Sequence, residues 1–434
     1  MAVTIPVGFH ALPVPIVQLS LAAVLKCGQS FRWSIYPLPQ ASIPSSELPT
    51  HEYRLCLRDR IICLRQSTDS LFYRSMFPDQ HVCSTQATLR EAETLSWLKD
   101  YFQLDIDLVK LYDEWSERDN VFKNLRSRFS GIRILRQDPW ENLVSFICSS
   151  NNNIARITKM VHALCRHYSP PLLSLRPPMT EGASADSDPI TYHPFPPPSA
   201  LASSEVAATL RGLGFGYRAD FIQRTARMLV DMPDSQPITG QQHAAERWLL
   251  LLRNKPTAIA REELLKFVGV GRKVADCILL MSLDKKEVVP IDTHVYQIAV
   301  KHYGLHVVTK SKTKATMTPK LYEEVSGKLF DIWGDYAGWA HSVLFTADLK
   351  SFSAYGLPST TAEGDGIDHA LSTPTMSSSS SPSKRKRRGT LHSPKELAGI
   401  VVDIDTVSHV IDESNDETNM ADRIKRRRRT VTKA

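Results

Sequence analysis

Near residue 90 the apolar residues of this chain change their spacing from every second position to every third and fourth, and one kind of secondary structure cannot serve both halves. In EYRLCLRDRIICLRQ (52–66), Tyr53, Leu55 and Leu57 alternate with charged neighbours, the pattern breaks at Arg58-Asp59-Arg60, and β-branched residues then resume it. An antiparallel hairpin reads this way. From Glu91 onward, LSWLKDYFQLDIDL and ENLVSFICSSNNNIARITKMVHALCRHY carry apolar residues three and four apart, as amphipathic helices do. The expected fold class is α+β: an N-terminal antiparallel β-sheet domain over 1–115, packed on a mostly helical region over 116–350.

Two stretches fall outside that pattern. Residues 169–199 (PPLLSLRPP, GASADSDP, HPFPPP) are proline-dense and poor in charge, which suits neither a helix nor a core strand, so a surface insertion is expected there. Residues 351–434 contain STTAEGDG, STPTMSSSSSPS and two basic runs, too little apolar surface to offset the entropy of ordering, and disorder is expected. The runs KRKRR (384–388) and KRRRR (425–429) read as nuclear import signals, as auxiliary nucleic-acid contacts, or as solvated charge. Two such blocks favour import, hence a nuclear location with room for a mitochondrial pool.

The formal charge is +7, from 53 Lys and Arg against 46 Asp and Glu, a mild excess that suits an anionic partner. Seven cysteines, an odd number without a C-x-x-C pair, suggest neither a disulfide framework nor a metal cluster, and no metal or cofactor is expected. The apolar stretch 15–25 has no Lys or Arg before it, as a signal peptide would, and no apolar run reaches the ~18 residues of a membrane span. No membrane partner is expected.

The chemistry concentrates at FVGVGRKVAD (267–276). Leu264, Leu265 and Phe267 share one helical face before it, and Val274, Cys277, Ile278 and Met281 share another after it, so Gly269-Val270-Gly271 is a hairpin between two helices within 260–281. Glycine permits positive dihedrals and close backbone approach there. The amides opening the second helix then face outward, where they and the helix dipole can hold a phosphate without reading a base. The pattern resembles the helix-hairpin-helix motif of DNA repair proteins, with Val268 where a proline usually precedes the first glycine.

Lys273 stands at the start of that second helix, where the dipole and burial both lower the pKa of an amine, and a partly neutral amine can attack an electrophilic carbon. A lysine there could equally neutralise phosphate. Asp292, in VVPIDTHVYQIAVKHYG, precedes the next helix and reads as its N-cap; a carboxylate fixed there can also stabilise positive charge on a sugar ring.

With these residues in place, the chain resembles the eukaryotic-type 8-oxoguanine DNA glycosylases with associated lyase activity. The likeness spans 19–349 in separate blocks: GQSFRW (28–33), SSNNNIARI (149–157), LGFGYRADFI (213–222), GVGRKVADC (269–277), VPIDTH (289–294) and WGDYAGWAHSVLFTADL (333–349). The resemblance implies that Lys273 attacks the sugar C1′, displaces the damaged base and forms a Schiff base whose β-elimination cuts the strand. It makes Asp292 the stabiliser of the oxocarbenium-like state. A base cannot react within the duplex stack and must be flipped out. The implied pocket comprises the Gly28 carbonyl, accepting the N7 proton of the oxidised base, with Cys277 and Phe345 on its faces. Asn151, Arg156 and Arg218 match residues contacting the orphaned cytosine, Tyr217 a wedge in the vacated stack, Gly269 and Gly271 the phosphate hairpin, and His294 a phosphate contact held by Asp348. The implied partner is double-stranded DNA containing an oxidised purine, bound by a monomer.

His341 departs from the family, which has a glutamine there reading the Watson–Crick edge of the flipped base. Imidazole offers one donor and one acceptor at shorter reach, so recognition needs a water or differs in detail. Sister glycosylases acting on oxidised pyrimidines or mispaired adenine commonly carry a four-cysteine iron–sulfur cluster, and no cysteine follows Cys277. Alkylation-repair relatives need the aspartate but no lysine. A non-catalytic DNA-binding module would tolerate Lys273→Gln.

Overall fold

The computed structural model describes residues 4–38, 48–79, 83–178, 188–232, 244–305 and 317–357. Strands β1 (His10–Pro13), β2 (Ser34–Pro37), β3 (His51–Cys56), β4 (Ile61–Gln66) and β5 (Ser70–Met76) form an antiparallel sheet in the order β1-β5-β4-β3-β2. The hairpin read from the sequence is β3–β4, with Leu55 opposite Ile62 and the Leu57 N–H donating to the Arg60 carbonyl at 2.8 Å across the turn.

β4 reads IICL because both of its faces are covered, so apolar residues are needed on each side of the pleat. Ile62 and Leu64 join Tyr53, Leu55, Leu71 and Tyr73 against Leu98, Tyr101 and Phe102 at the end of helix Ser84–Tyr101. Ile61 and Cys63 turn the other way with Phe72 and pack on Tyr192. The helix begins at Ser84, before the expected Glu91. Of its residues only Thr94, Leu98 and Tyr101 are buried, so its polar first half shows no period.

Tyr192 lies in the proline-dense segment, which is therefore more than a surface insertion. Within it, β6 (Leu173–Leu175) and β7 (Ile190–Tyr192) pair antiparallel, and the Tyr192 hydroxyl is 2.8 Å from that of Tyr36 in β2. The Pro196 carbonyl accepts from Trp140 Nε1 at 2.9 Å. Proline forbids helix here but keeps its carbonyl and its ring available, so the segment still covers the outer face of the sheet.

Helix Pro139–Cys148 runs through the centre of the helical region with every residue except Glu141 buried, and packs against helix Arg272–Ser282. Arg32, following the Gly28 loop, clamps Glu141 with two hydrogen bonds of 2.8 and 2.6 Å and so ties the sheet to the helices. The folded chain continues past the boundary expected at 350. Phe352 is buried, Tyr355 stacks on Phe129 at 5.7 Å, and Arg128 Nε donates to the Tyr355 carbonyl at 2.6 Å. The rest of the expected tail, with KRKRR and KRRRR, lies outside the described residues. Among the described residues no helix is long and apolar enough to cross a membrane.

Candidate active site

The hairpin joins helix Thr257–Leu265 to helix Arg272–Ser282. Gly269 has φ +83°, and a Cβ there would lie 2.5 Å from Phe221 Cδ2, so the turn and its packing both require glycine. Thr225 Oγ1 donates to the Val268 carbonyl at 2.9 Å, holding the hairpin to helix Arg218–Val230. Gly271 differs from the expectation. Its backbone is extended (φ −93°, ψ −179°), so no positive dihedral is needed, and a Cβ would meet nothing within 4 Å. As the N-cap of helix Arg272–Ser282 it makes no side-chain cap hydrogen bond, which suits a helix start offered to an anion.

An open groove of about 840 Å³ runs along this surface, lined by Asn151, Gly269, Gly271, Lys273 and Asp292 among others. A smaller inner cavity of about 60 Å³ lies against it, lined by Gly28, Cys277, His341 and Phe345 together with Lys273 and Asp292. Among the described residues Lys273 and Asp292 are the two common to both, and they form the neck between groove and cavity. Lys273 Nζ lies 5.2 Å from the centre of the Phe146 ring, within cation–π range. Asp292 caps helix Thr293–Tyr303, and both capping bonds, from the His294 and Val295 amides at 2.9 Å, go to Oδ1. The cap read from the sequence is present, and Oδ2 takes no part in it.

Around the cavity, Gly28 has φ +88°, and its loop is braced by Gln29, whose Nε2 donates to the Arg133 carbonyl and whose Oε1 accepts from the Leu135 amide, both at 3.0 Å. Burial pushes the Cys277 thiol up to about 11, so it is a neutral wall rather than a nucleophile. Burial likewise brings His341 down to about 4, and among the described residues neither ring nitrogen has an aligned hydrogen-bond partner, although the Gly338 backbone lies close enough to oppose the shift slightly. A neutral imidazole with a spare donor and a spare acceptor thus lines the cavity.

Of the residues matched to cytosine recognition, Asn151, Tyr217 and Arg218 gather on the turn at 150–151, and Arg156 bonds instead to the Gly214 carbonyl. Asn151 has φ +48° and lines the groove. Arg218 is buried, donating to the Ser150 carbonyl through Nε at 3.1 Å and through Nη2, and to the Asn151 carbonyl at 3.0 Å. Tyr217 is half exposed, and its hydroxyl also donates to the Ser150 carbonyl, at 3.1 Å. Arg156 Nη2 reaches the Gly214 carbonyl at 3.3 Å. His294 Nε2 lies 3.2 Å from Asp348 Oδ2, an ion-pair distance without hydrogen-bond alignment, and its ring meets Phe345 edge-on at 5.1 Å.

Residues 11–143 match the 8-oxoguanine DNA glycosylase N-terminal domain, and residues 144–322 match the HhH-GPD superfamily of base excision DNA repair proteins. The N-glycosylase/DNA lyase of Saccharomyces cerevisiae is 35% identical over 359 residues, covering 80% of this chain and 87% of the yeast protein. The chain belongs to the 8-oxoguanine DNA glycosylase family. Within that family, N-glycosylase/DNA lyase OGG1 of Arabidopsis thaliana is 34% identical over 336 residues, 77% of this chain and 78% of the plant protein. The solved structure of MBOgg1 with a low-affinity DNA ligand superposes with a TM-score of 0.57 at 26% identity, covering 80% of this chain and 96% of that one. The 8-oxoguanine glycosylase/lyase of Clostridium acetobutylicum, solved with DNA containing cytosine opposite 8-oxoguanine, shares the fold at a TM-score of 0.57 and 23% identity, covering 80% and 97%.

Three contributors to this candidate site escaped the sequence reading. Phe146 sits under Lys273 from the apolar face of helix Pro139–Cys148, where a core role reads the same. The Ser150 carbonyl holds both Tyr217 and Arg218, and a backbone acceptor has no residue signature. Tyr322, in the floor of the groove, comes from a helix whose spacing marks it only as core.

Proposed function

We propose that this chain is a bifunctional base excision repair enzyme that removes 8-oxoguanine paired with cytosine from duplex DNA and then cuts the strand at the abasic site, acting as a monomer in the nucleus. The observation that carries the reading is the neck: an amine and a carboxylate are the two residues common to an outer groove and an inner cavity. A nucleotide flipped from a duplex in the groove has to pass between them, which puts its C1′ beside Lys273 and its base in the cavity. At about 60 Å³ the cavity is narrow for a purine, so entry of the base requires its walls, Phe345 among them, to part.

The Lys273 amine in its neutral form attacks C1′ as the bond to the base breaks; the bonding pair leaves with the base, which takes up a proton. The Asp292 carboxylate stabilises the positive charge that develops on the sugar. The C1′–O4′ bond then opens, its electron pair leaving with O4′ as one amine proton passes to that oxygen, and C1′ and nitrogen are left as an iminium ion. The iminium acidifies the C2′ hydrogen, and its removal breaks the C3′–O bond and expels the 3′ phosphate. Guanine carries an acceptor at N7 where 8-oxoguanine carries a hydrogen, so the Gly28 carbonyl distinguishes the two by one hydrogen bond. Arg156 and Arg218 exchange their present backbone partners for cytosine edges, Asn151 meets the same base from the groove wall, and Tyr217, already exposed, fills the gap in the stack.

The test is incubation of the pure protein with duplexes carrying 8-oxoguanine opposite each of the four bases, followed by borohydride. A covalent adduct strongest opposite cytosine is expected. Trapping restricted to pyrimidine lesions overturns the substrate, and no adduct on any lesion overturns the lysine chemistry.

A further inference from the structure

Asp276 stands one helical turn after Lys273, nearly fully buried at 1% exposure, and is absent from the chemistry above. Its Oδ1 accepts from Arg261 Nε at 2.7 Å, which ties the two helices of the hairpin together. Its Oδ2 accepts from Arg272 Nε at 3.1 Å and from the Tyr322 hydroxyl at 2.7 Å. Tyr322, on helix Pro319–Trp333, is also buried, and its hydroxyl accepts from the Ile291 amide at 3.0 Å. Ile291 is the residue before Asp292. A backbone amide can only donate and a carboxylate can only accept, so the hydroxyl proton is forced toward Asp276 and the relay runs in one direction. The Arg272 guanidinium also lies 5.0 Å from the centre of the Tyr322 ring, which holds the ring from one side.

Resting on the function proposed above, we propose that Asp276 and Tyr322 are positioning residues: their buried hydrogen bond fixes the distance between the helix that carries Lys273 and the segment that carries Asp292. Between these two segments it is a direct polar path, running Lys273 helix, Asp276, Tyr322, Ile291, Asp292. A misplacement of about 1 Å at a reacting centre costs roughly 100-fold in rate, so a clamp of this kind acts on catalysis while the groove itself stays intact.

Tyr322→Phe removes the hydroxyl and keeps the ring. Single-turnover excision of 8-oxoguanine opposite cytosine is expected to fall roughly 10- to 100-fold. Affinity for a duplex carrying a tetrahydrofuran abasic analogue is expected to stay within about threefold, because the Tyr322 ring that lines the groove is kept and the hydroxyl that is lost is buried against Asp276. Borohydride trapping on a preformed abasic site, whose open aldehyde needs the amine but not the stabilised oxocarbenium, falls much less than excision does. Asp276→Asn, which presents an amide donor toward one of its three present donors, gives the same split. Equal loss of excision, trapping and affinity means a merely structural role and overturns the proposal, as does unchanged excision. Amide hydrogen exchange across 289–296 provides a readout independent of activity: the Ile291 amide exchanges at least tenfold faster in Tyr322→Phe, and an unchanged rate refutes the clamp. A wild-type protein that neither excises nor traps overturns the proposed function instead, and the exchange result still decides the clamp.

Discussion

Lys273 and Asp292 stand at the starts of two successive helices and are the two side chains shared by the groove and the inner cavity. Their roles separate by substitution. Asparagine is as good an N-cap as aspartate, and the cap here uses Oδ1 alone, so Asp292→Asn keeps the fold while deleting the charge. Excision is expected to fall about 100- to 1,000-fold with the melting temperature little changed, the usual scale for one electrostatic contributor to a transition state. Lys273→Gln abolishes borohydride trapping while DNA affinity persists. An Asp292→Asn enzyme with full excision in single-turnover assays removes the carboxylate from the mechanism.

Neutral His341 carries a pH dependence of stability. Burial holds it at about 4, opposed by Asp292 and reinforced by Lys273 and His294. In the unfolded chain histidine titrates near about 6.5, so between those values the unfolded chain binds a proton that the folded chain refuses. Stability from this residue is therefore complete at neutral pH and is lost as pH falls from about 6.5 toward 4. His341→Gln places a group there that does not titrate. In urea unfolding at pH 7.5 and 4.5, the wild type is expected to lose about 2.5 kcal/mol more than the variant on going to the lower pH. Parallel pH profiles contradict a buried neutral imidazole.

The fold class and the position of the candidate site at the hairpin were legible in the sequence, while particular packings were not, for physical reasons. Chemistry at the hairpin needs particular residue types at fixed spacing, so GVGRK and the capping Asp292 announce themselves. β3 alternates visibly and β4 is marked by its β-branched residues, but that β4 packs on both faces is not legible, because its cover is a proline-dense segment whose three-residue strands are too short for a period. The packing of Tyr355 depends on Arg128 and Ser20, far away in the chain, and no local pattern carries a contact of that separation. The same limit hid Tyr322, whose hydroxyl matters through Asp276 and the Ile291 amide.

Arg218, proposed above to contact cytosine, has a role in the fold, since its guanidinium holds the carbonyls of Ser150 and Asn151 in a buried setting. Lysine cannot reproduce the planar fork, so Arg218→Lys loses at least one buried hydrogen bond and about 1–3 kcal/mol of stability. If the same fork reads the cytosine edge when DNA is bound, the preference for cytosine over the other opposing bases shrinks in the variant. Chemical denaturation together with excision opposite each base measures the two effects. A lowered stability with an unaltered base preference assigns Arg218 to the fold alone.

The two hairpin glycines are expected to fail in different ways. Gly269→Ala places a methyl in a left-handed conformation and against Phe221, at a cost of about 1–3 kcal/mol, so stability and DNA binding fall together. Gly271→Ala has an extended backbone and open space around the new Cβ, so the free protein loses only the modest stability that separates alanine from glycine at an N-cap, less than Gly269→Ala loses. The methyl would instead stand where a phosphate approaches the first turn of helix Arg272–Ser282, and the main loss appears as weaker DNA binding. Because that contact is electrostatic, the variant's affinity should also depend less steeply on salt, the slope dropping by about one phosphate's worth. Thermal melts and salt titrations of the two variants check this, and a Gly271→Ala protein binding DNA like wild type removes phosphate capture from the hairpin.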